Sequence, residues 1–134
     1  MSFHEVIIVG NLGRDPELRY APNGNAVCSL NVASNRQYTT KDGQKVKETT
    51  WFRVSVWGNQ GENCNKYLKS GSQVLIVGEL KPDKETGGPR TYNRSDGTVG
   101  ASFEVTARTV RFLSGSNNGG GQQTNEIADD DIPL

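Results

Sequence analysis

The chain has 134 residues, 15 Lys plus Arg against 15 Asp plus Glu, and a formal net charge of zero. That suits one ordinary domain with little left over and excludes a globally basic nucleic-acid binder, though not a locally basic face. No apolar run approaches the roughly 20 residues that span a bilayer, and Met1-Ser2-Phe3-His4-Glu5 has the order of neither a secretory signal nor an Arg-rich import leader, so the expected location is the cytoplasm.

In chain order, Val6-Ile7-Ile8-Val9 is a short apolar run closed by Gly10-Asn11-Leu12-Gly13, a first strand. Pro22-Asn23-Gly24 signals a turn. Ala26 to Asn35 then alternates, with Val27, Ser29 and Asn31 against Cys28, Leu30 and Val32. A turn at Lys41-Asp42-Gly43 leads to a third alternating strand, Thr49 to Trp57. Asn59 to Ser70 switches to helical spacing through Cys64, Tyr67 and Leu68. Asn59 is the expected cap, with Glu62 three residues on, Gly71 ends the helix, and Lys66 and Lys69 suit its C-terminal end. Gln73 to Leu80 and Phe103 to Phe112 are the fourth and fifth strands, joined by a long loop with turns at Thr86-Gly87-Gly88-Pro89 and Ser95-Asp96-Gly97. Five strands with a helix between the third and fourth is the order of the OB-fold, a five-stranded Greek-key barrel. The expected class is all-β with one short helix.

After Leu113 the composition changes: residues 114–134 hold no Lys, Arg or aromatic and are dominated by Gly, Ser, Asn and Gln. Such a segment buries too little surface to offset its ordering entropy and is expected to be a disordered tail. The expected division is a body at 1–113, a flexible linker at 114–128 and an acidic tip at 129–134. The tail carries four acids and no base, so the body is +4. A basic body tethered to an acidic tip suggests an anion-binding surface with an interaction tail.

Alternation puts Trp51, Arg53, Ser55 and Trp57 on one face of the third strand and Phe52, Val54 and Val56 on the other. The second set is a barrel-interior face, so both tryptophans of the chain and a cation point outward. Two exposed tryptophans call for a cover. Stacked bases would provide one at about 1–3 kcal/mol per base; a loop or a second subunit would also, and the pattern leaves both readings open. Arg36 and Tyr38 open a loop that runs through Lys41, Lys45 and Lys47 to the third strand. Lys81, Lys84, Arg90, Tyr92 and Arg94 populate the long loop between the last two strands. OB-folds bind oligonucleotides across strands two and three and through these loops. Most loop lysines are merely solvated, so the aromatics carry more weight.

The catalytic signals are missing. There is no GxxxxGK, HExxH or GxSxG, and Gly10-Asn11-Leu12-Gly13 lacks the dinucleotide-binding spacing. His4 has no evident partner. Cys28 and Cys64 are far apart, without a histidine cluster, and read as reduced core residues rather than a metal site, a disulfide or nucleophiles. No cofactor and no enzymatic activity are expected. The tip, Asp129-Asp130-Asp131-Ile132-Pro133-Leu134, joins acids to an apolar end with a free carboxylate. It reads as a docking peptide, or more plainly as a solubility tail.

The chain closely resembles the bacterial single-stranded DNA-binding proteins over essentially its whole length. The resemblance lies in Val9-Gly10-Asn11-Leu12-Gly13-Arg14-Asp15-Pro16-Glu17-Leu18-Arg19-Tyr20, in Trp51-Phe52-Arg53-Val54, in Tyr67 to Val74 with Gly78, in Phe103-Glu104-Val105-Thr106-Ala107 and in the acidic tip. It implies a homotetramer in the bacterial cytoplasm, associated with the nucleoid, that wraps single-stranded DNA without sequence preference. Tyr38, Trp51 and Trp57 match the family's stacking positions, and Tyr92 is the match in the long loop, which carries extra residues around Lys81 to Pro89. The family's tip docks replication, recombination and repair proteins and usually ends in Phe, where Leu134 stands here. An RNA-binding OB module and a pure protein-interaction domain are the alternatives.

Overall fold

The alternating segments pair edge to edge and close on themselves in the computed structural model, which describes residues 1–113; the expected linker and tip lie outside the described residues. The elements are β1 Val6–Leu12, β2 Glu17–Tyr20, β3 Ala26–Thr39, β4 Lys45–Trp57, α1 Gly58–Tyr67, β5 Gln73–Leu80, β6 Arg90–Asn93 and β7 Val99–Phe112. The strands run in the order β1-β5-β7-β4-β3, and a further β1–β3 pairing closes that row into a ring of five. β4 and β7 pair in parallel, and the other ring pairings are antiparallel. This is the expected OB-fold barrel with one short helix.

Closure explains the patterning, because one face of each strand must fill the barrel. Leu30 and Val32 of β3, Val54 and Val56 of β4, Val74 and Ile76 of β5 and Val105 of β7 are fully buried there. Ile8 and Leu12 of β1 and Leu68, just past the helix, complete the cluster. Helix α1 lies against β3 and β4 through Gly61, where a Cβ would collide with the Val56 carbonyl. Gln60 ties the same helix to β7: its Nε2 donates to the Arg108 carbonyl at 3.2 Å and its Oε1 accepts from the Val110 N–H at 2.7 Å.

The structure departs from the sequence pattern at several points. Two further strands, β2 and β6, flank the five. Each has four residues and almost no buried side, so neither shows an alternation to read. β3 and β4 run on as a ribbon whose outer residues, 35–39 and 45–49, pair in register with both faces exposed. The helix starts at Gly58, capped by the extended backbone of Trp57 with no side-chain bond, so Asn59 is inside it rather than its cap. It ends where the Leu68 N–H bonds to the Cys64 carbonyl at 3.0 Å. Gly71, at φ +92°, belongs to the turn beyond, and Lys69 lies outside the helix. Tyr67 points outward, packed on Phe112 at 6.5 Å between ring centroids. His4 has a partner: its Nε2 accepts from the Leu80 N–H at 2.9 Å.

Cys28 and Cys64 are both free and buried in the core, as expected. Burial pushes the thiols up, Cys28 to about 11 and Cys64 to about 12 from 9.0. The fold therefore favours the protonated thiols. Their contribution to stability is whole below pH 9.0 and is lost as pH rises through the raised values. We expect both thiols to resist a thiol reagent near neutral pH until denaturant is added, and the urea midpoint to fall above pH 9.0. Rapid labelling of the folded chain would contradict this.

Candidate nucleic-acid interface

Residues opposite one another in an antiparallel ladder share a face. The β3–β4 register sets Trp51 against Ala33, Arg53 against Asn31, Ser55 against Ser29 and Trp57 against Val27. Because Val54 and Val56 point into the barrel, this row lies on its outer side, as the sequence predicts, although Val27 at its end is covered. Trp51 is 54% exposed and Trp57 is 43% exposed, so neither is covered within the described residues. Six residues of strand separate them, about 20 Å at the usual rise. One base cannot touch both, and a strand that reaches both must run along β4.

Around Trp51 the barrel forms an open cleft of about 450 Å³, lined by Asn31, Trp51, Phe52, Arg53, Arg90, Tyr92, Ala101 and Ser102. It brings together four of the sequence candidates: Trp51, Arg53, Arg90 and Tyr92. Tyr92 and Arg90 arrive because the long loop folds into a hairpin, with β6 pairing Arg90 to Ser102 and Tyr92 to Gly100. The hairpin turn is fixed by Asp96, whose carboxyl is held below its usual range by the backbone N–H and the hydroxyl of Thr98, donating at 3.0 and 2.7 Å.

Two glycines seat the aromatic rings. A Cβ on Gly13 would stand 2.6 Å from the Trp51 ring, so that ring lies against bare backbone. Tyr92 lies over Gly100 in the same way, also with 2.6 Å to a hypothetical Cβ. The Arg94 guanidinium is 5.6 Å from the Tyr92 ring centre and donates to the Thr98 hydroxyl at 3.3 Å and the Val99 carbonyl at 3.2 Å. Arg94 thus braces the Tyr92 ring. Arg90 sits 3.7 Å from Glu104, which also accepts from the Ser102 hydroxyl at 2.9 Å.

The other candidates lie elsewhere. Lys45 and Lys47 share the Trp51 side of the ribbon, opposite Thr39 and Gln37, while Lys41 is in its turn. Arg36 and Tyr38 alternate onto the other side, with the Arg36 guanidinium 5.2 Å from the Tyr38 ring centre. Lys84 sits in a self-contained turn in which Asp83 accepts from the Glu85 and Thr86 N–H groups at 2.8 and 3.2 Å. Lys81 walls a separate small depression with Pro82, Asp83, Arg90 and Glu104. The partner-docking candidates Asp129 to Leu134 lie outside the described residues.

Sequence reasoning missed two arginines. Arg19 of β2 opposes Val27, which opposes Trp57, so Arg19 stands in the Trp57 row. Arg14 reaches Asn31 at the cleft wall: the Asn31 amide, oriented with its oxygen toward Arg14, accepts from Nη2 at 2.7 Å and Nε at 2.5 Å. Both arginines lie in the stretch 13–19, which shows no alternation, and only the barrel brings that stretch beside β3. Among the described residues no cluster of His, Cys, Asp or Glu could hold a metal ion.

The model of the single-strand binding protein family matches residues 3–113. The chain belongs to this family. A curated relative, the single-stranded DNA-binding protein of Neisseria meningitidis, is 35% identical over 121 residues, covering 90% of this chain and 66% of the relative. Those of Xylella fastidiosa and Helicobacter hepaticus are 36% identical over 120 residues and 34% over 117. The chain spans about two thirds of these relatives' length, at 65–69%. A crystal structure of a deletion mutant of the single-stranded DNA binding protein from Thermus aquaticus superposes with a TM-score of 0.63 at 26% identity, over 84% of this chain and 51% of that one. Members of the family bind DNA and are not enzymes.

The Gly13 seat is testable. We expect Gly13→Ala to force the Trp51 ring aside and change Trp emission, with a stability loss of at most about 1 kcal/mol because the half-exposed ring is free to swing outward. Unchanged emission and an unchanged urea midpoint would show that the ring is not seated there.

Proposed function

We propose that the chain binds single-stranded DNA without sequence preference. It protects the strand during replication, recombination and repair and recruits partner proteins through Asp129 to Leu134. The observation that carries this reading is the convergence of Trp51, Tyr92, Arg53 and Arg90 on one open cleft. Aromatic faces stack any base, and the cations neutralise phosphates, so affinity does not depend on base identity. In this reading Trp51 and Tyr92 hold one part of the strand, Trp57 another, and Tyr38 a third on the far side of the ribbon. Arg53, Arg36, Lys41, Lys45, Lys47, Lys81, Lys84, Arg90 and Arg94 supply the field around it. The names of the relatives support single-stranded DNA as the ligand.

The same proposal includes assembly into a homotetramer. Ile7, 64% exposed, and Val9 point outward from β1, opposite Val77 and Leu75 of β5. An apolar outer face of that kind is suited to burial against another copy. The place of action is the bacterial cytoplasm at the nucleoid, a reading supported by the bacterial relatives. Among the described residues no helix is long and apolar enough to cross a membrane.

Titration of intrinsic Trp fluorescence with oligo-dT, oligo-U and duplex DNA at two salt concentrations tests the core of this. Strong, salt-weakened quenching by oligo-dT is expected. A stronger response to oligo-U would move the function to RNA, and no response would return the tryptophans to packing. Trp51→Ala is expected to weaken oligo-dT binding by about 1–3 kcal/mol with folding intact; an unchanged affinity would remove Trp51 from the site. Deleting Asp129 to Leu134 is expected to leave DNA affinity unchanged or slightly tighter, since the anionic tip competes for the cations. A large loss of affinity would overturn that role.

A further inference from the structure

We propose that Arg14 is a phosphate-binding residue of the Trp51 cleft, held in place by the neutral side chain of Asn31. The inference rests on reading that cleft as a single-strand site. Two of the cations near the two cleft aromatics are already engaged. Arg90 stands 3.7 Å from the Glu104 carboxylate, which offsets its charge. Arg94 is spent on Thr98, Val99 and the Tyr92 ring. Arg14 is fixed differently: Nε and Nη2 both donate to the Asn31 amide oxygen, at 2.5 and 2.7 Å.

An amide oxygen orients a guanidinium without cancelling its charge. Two of the five guanidinium N–H groups are used, and the rest stay free for a second acceptor. Among the described residues no carboxylate pairs with Arg14, and the residue is exposed. Its neighbour Gly13 lies under the Trp51 ring, and Asn31 lines the cleft beside Arg53. The chain therefore presents a pre-oriented, uncompensated cation next to its most exposed tryptophan. A planar fork of this kind matches a phosphate of the strand whose base stacks on Trp51.

The test uses the full chain and measures oligo-dT and oligo-dC affinity across a salt series. Arg14→Ala is expected to weaken both about three- to tenfold at low salt and to reduce the slope of log affinity against log salt by about 0.7, the share of one phosphate. Asn31→Asp keeps the fork but adds a charge that cancels Arg14, and is expected to lower the slope in the same way. A second substitution, Arg14→Ala on Asn31→Asp, leaves that carboxylate unpaired beside the strand and is expected to weaken binding further than either change alone. Thermal melting of each variant reports whether folding is intact, and Asn31→Asp keeps the idea exposed if Arg14→Ala does not fold. Wild-type binding with an unchanged slope in Arg14→Ala or in Asn31→Asp overturns the assignment of Arg14 alone. A wild-type chain that binds no oligo-dT overturns the single-strand reading and this assignment with it.

Discussion

The β3–β4 ladder is the constraint on which the rest depends. Thirteen residue pairs run in register from Val27–Trp57 to Thr39–Lys45. Within the barrel, the side of that ladder carrying Leu30, Val32, Val54 and Val56 is the core, and the side carrying Asn31, Trp51, Arg53 and Trp57 is the candidate site. Side chains alternate with period two, so a slip of one residue would send the tryptophans and Arg53 inward and the valines out. Burying an unpaired arginine costs several kcal/mol, and losing the valines removes the main source of stability. Pressure to fill the barrel therefore also holds the candidate site in place. The parallel β4–β7 pairing pins the ladder from the other side and brings Glu104 alongside Arg53.

Charge is distributed within this frame rather than summed. The chain is neutral overall, and the acids at 129–131 offset part of the basic body in sequence. Inside the cleft, compensation is selective. Glu104 tempers Arg90, Thr98 and Val99 hold Arg94 on an aromatic ring, and Asn31 holds Arg14 with its charge intact. Partial neutralisation of this kind keeps cations close together without the repulsion that an all-basic cluster would carry.

The sequence makes the five barrel strands legible because each is an alternating or continuous apolar run with side chains that fill the barrel. Trp51, Arg53 and Trp57 are legible for the same reason: strict alternation with Val54 and Val56 assigns their face before any contact is known. What escapes has no such contrast. β2 and β6 are short and almost wholly exposed, and the outer ribbon has solvent on both sides. Arg36 and Tyr38 appear grouped with Lys47 and Trp51 in the chain, yet the ladder register divides them between two sides. Arg14 depends on a long-range meeting of the segment after β1 with Asn31 of β3, which no local pattern encodes. Asn59 is an apt capping residue by type, but the strand runs straight into the helix at Trp57–Gly58 and leaves no residue free to cap it.

The glycine beneath Trp51 links that ring to the integrity of the barrel. The Gly13 N–H bonds to the Asn31 carbonyl at 2.9 Å, and its carbonyl accepts from the Ser70 hydroxyl at 3.5 Å. Asp15 accepts from the Ser70 N–H at 2.8 Å, and Asn11 donates to the Gly71 carbonyl at 3.1 Å. The ring thus rests on a seam where the end of β1, the middle of β3 and the turn after α1 are stitched together. Anything that presses on the ring from outside bears on that seam. By mutual linkage, a ligand on the Trp51 ring and a closed seam would stabilise each other, so occupancy should suppress local opening at residues 69–72, which lie outside the cleft lining.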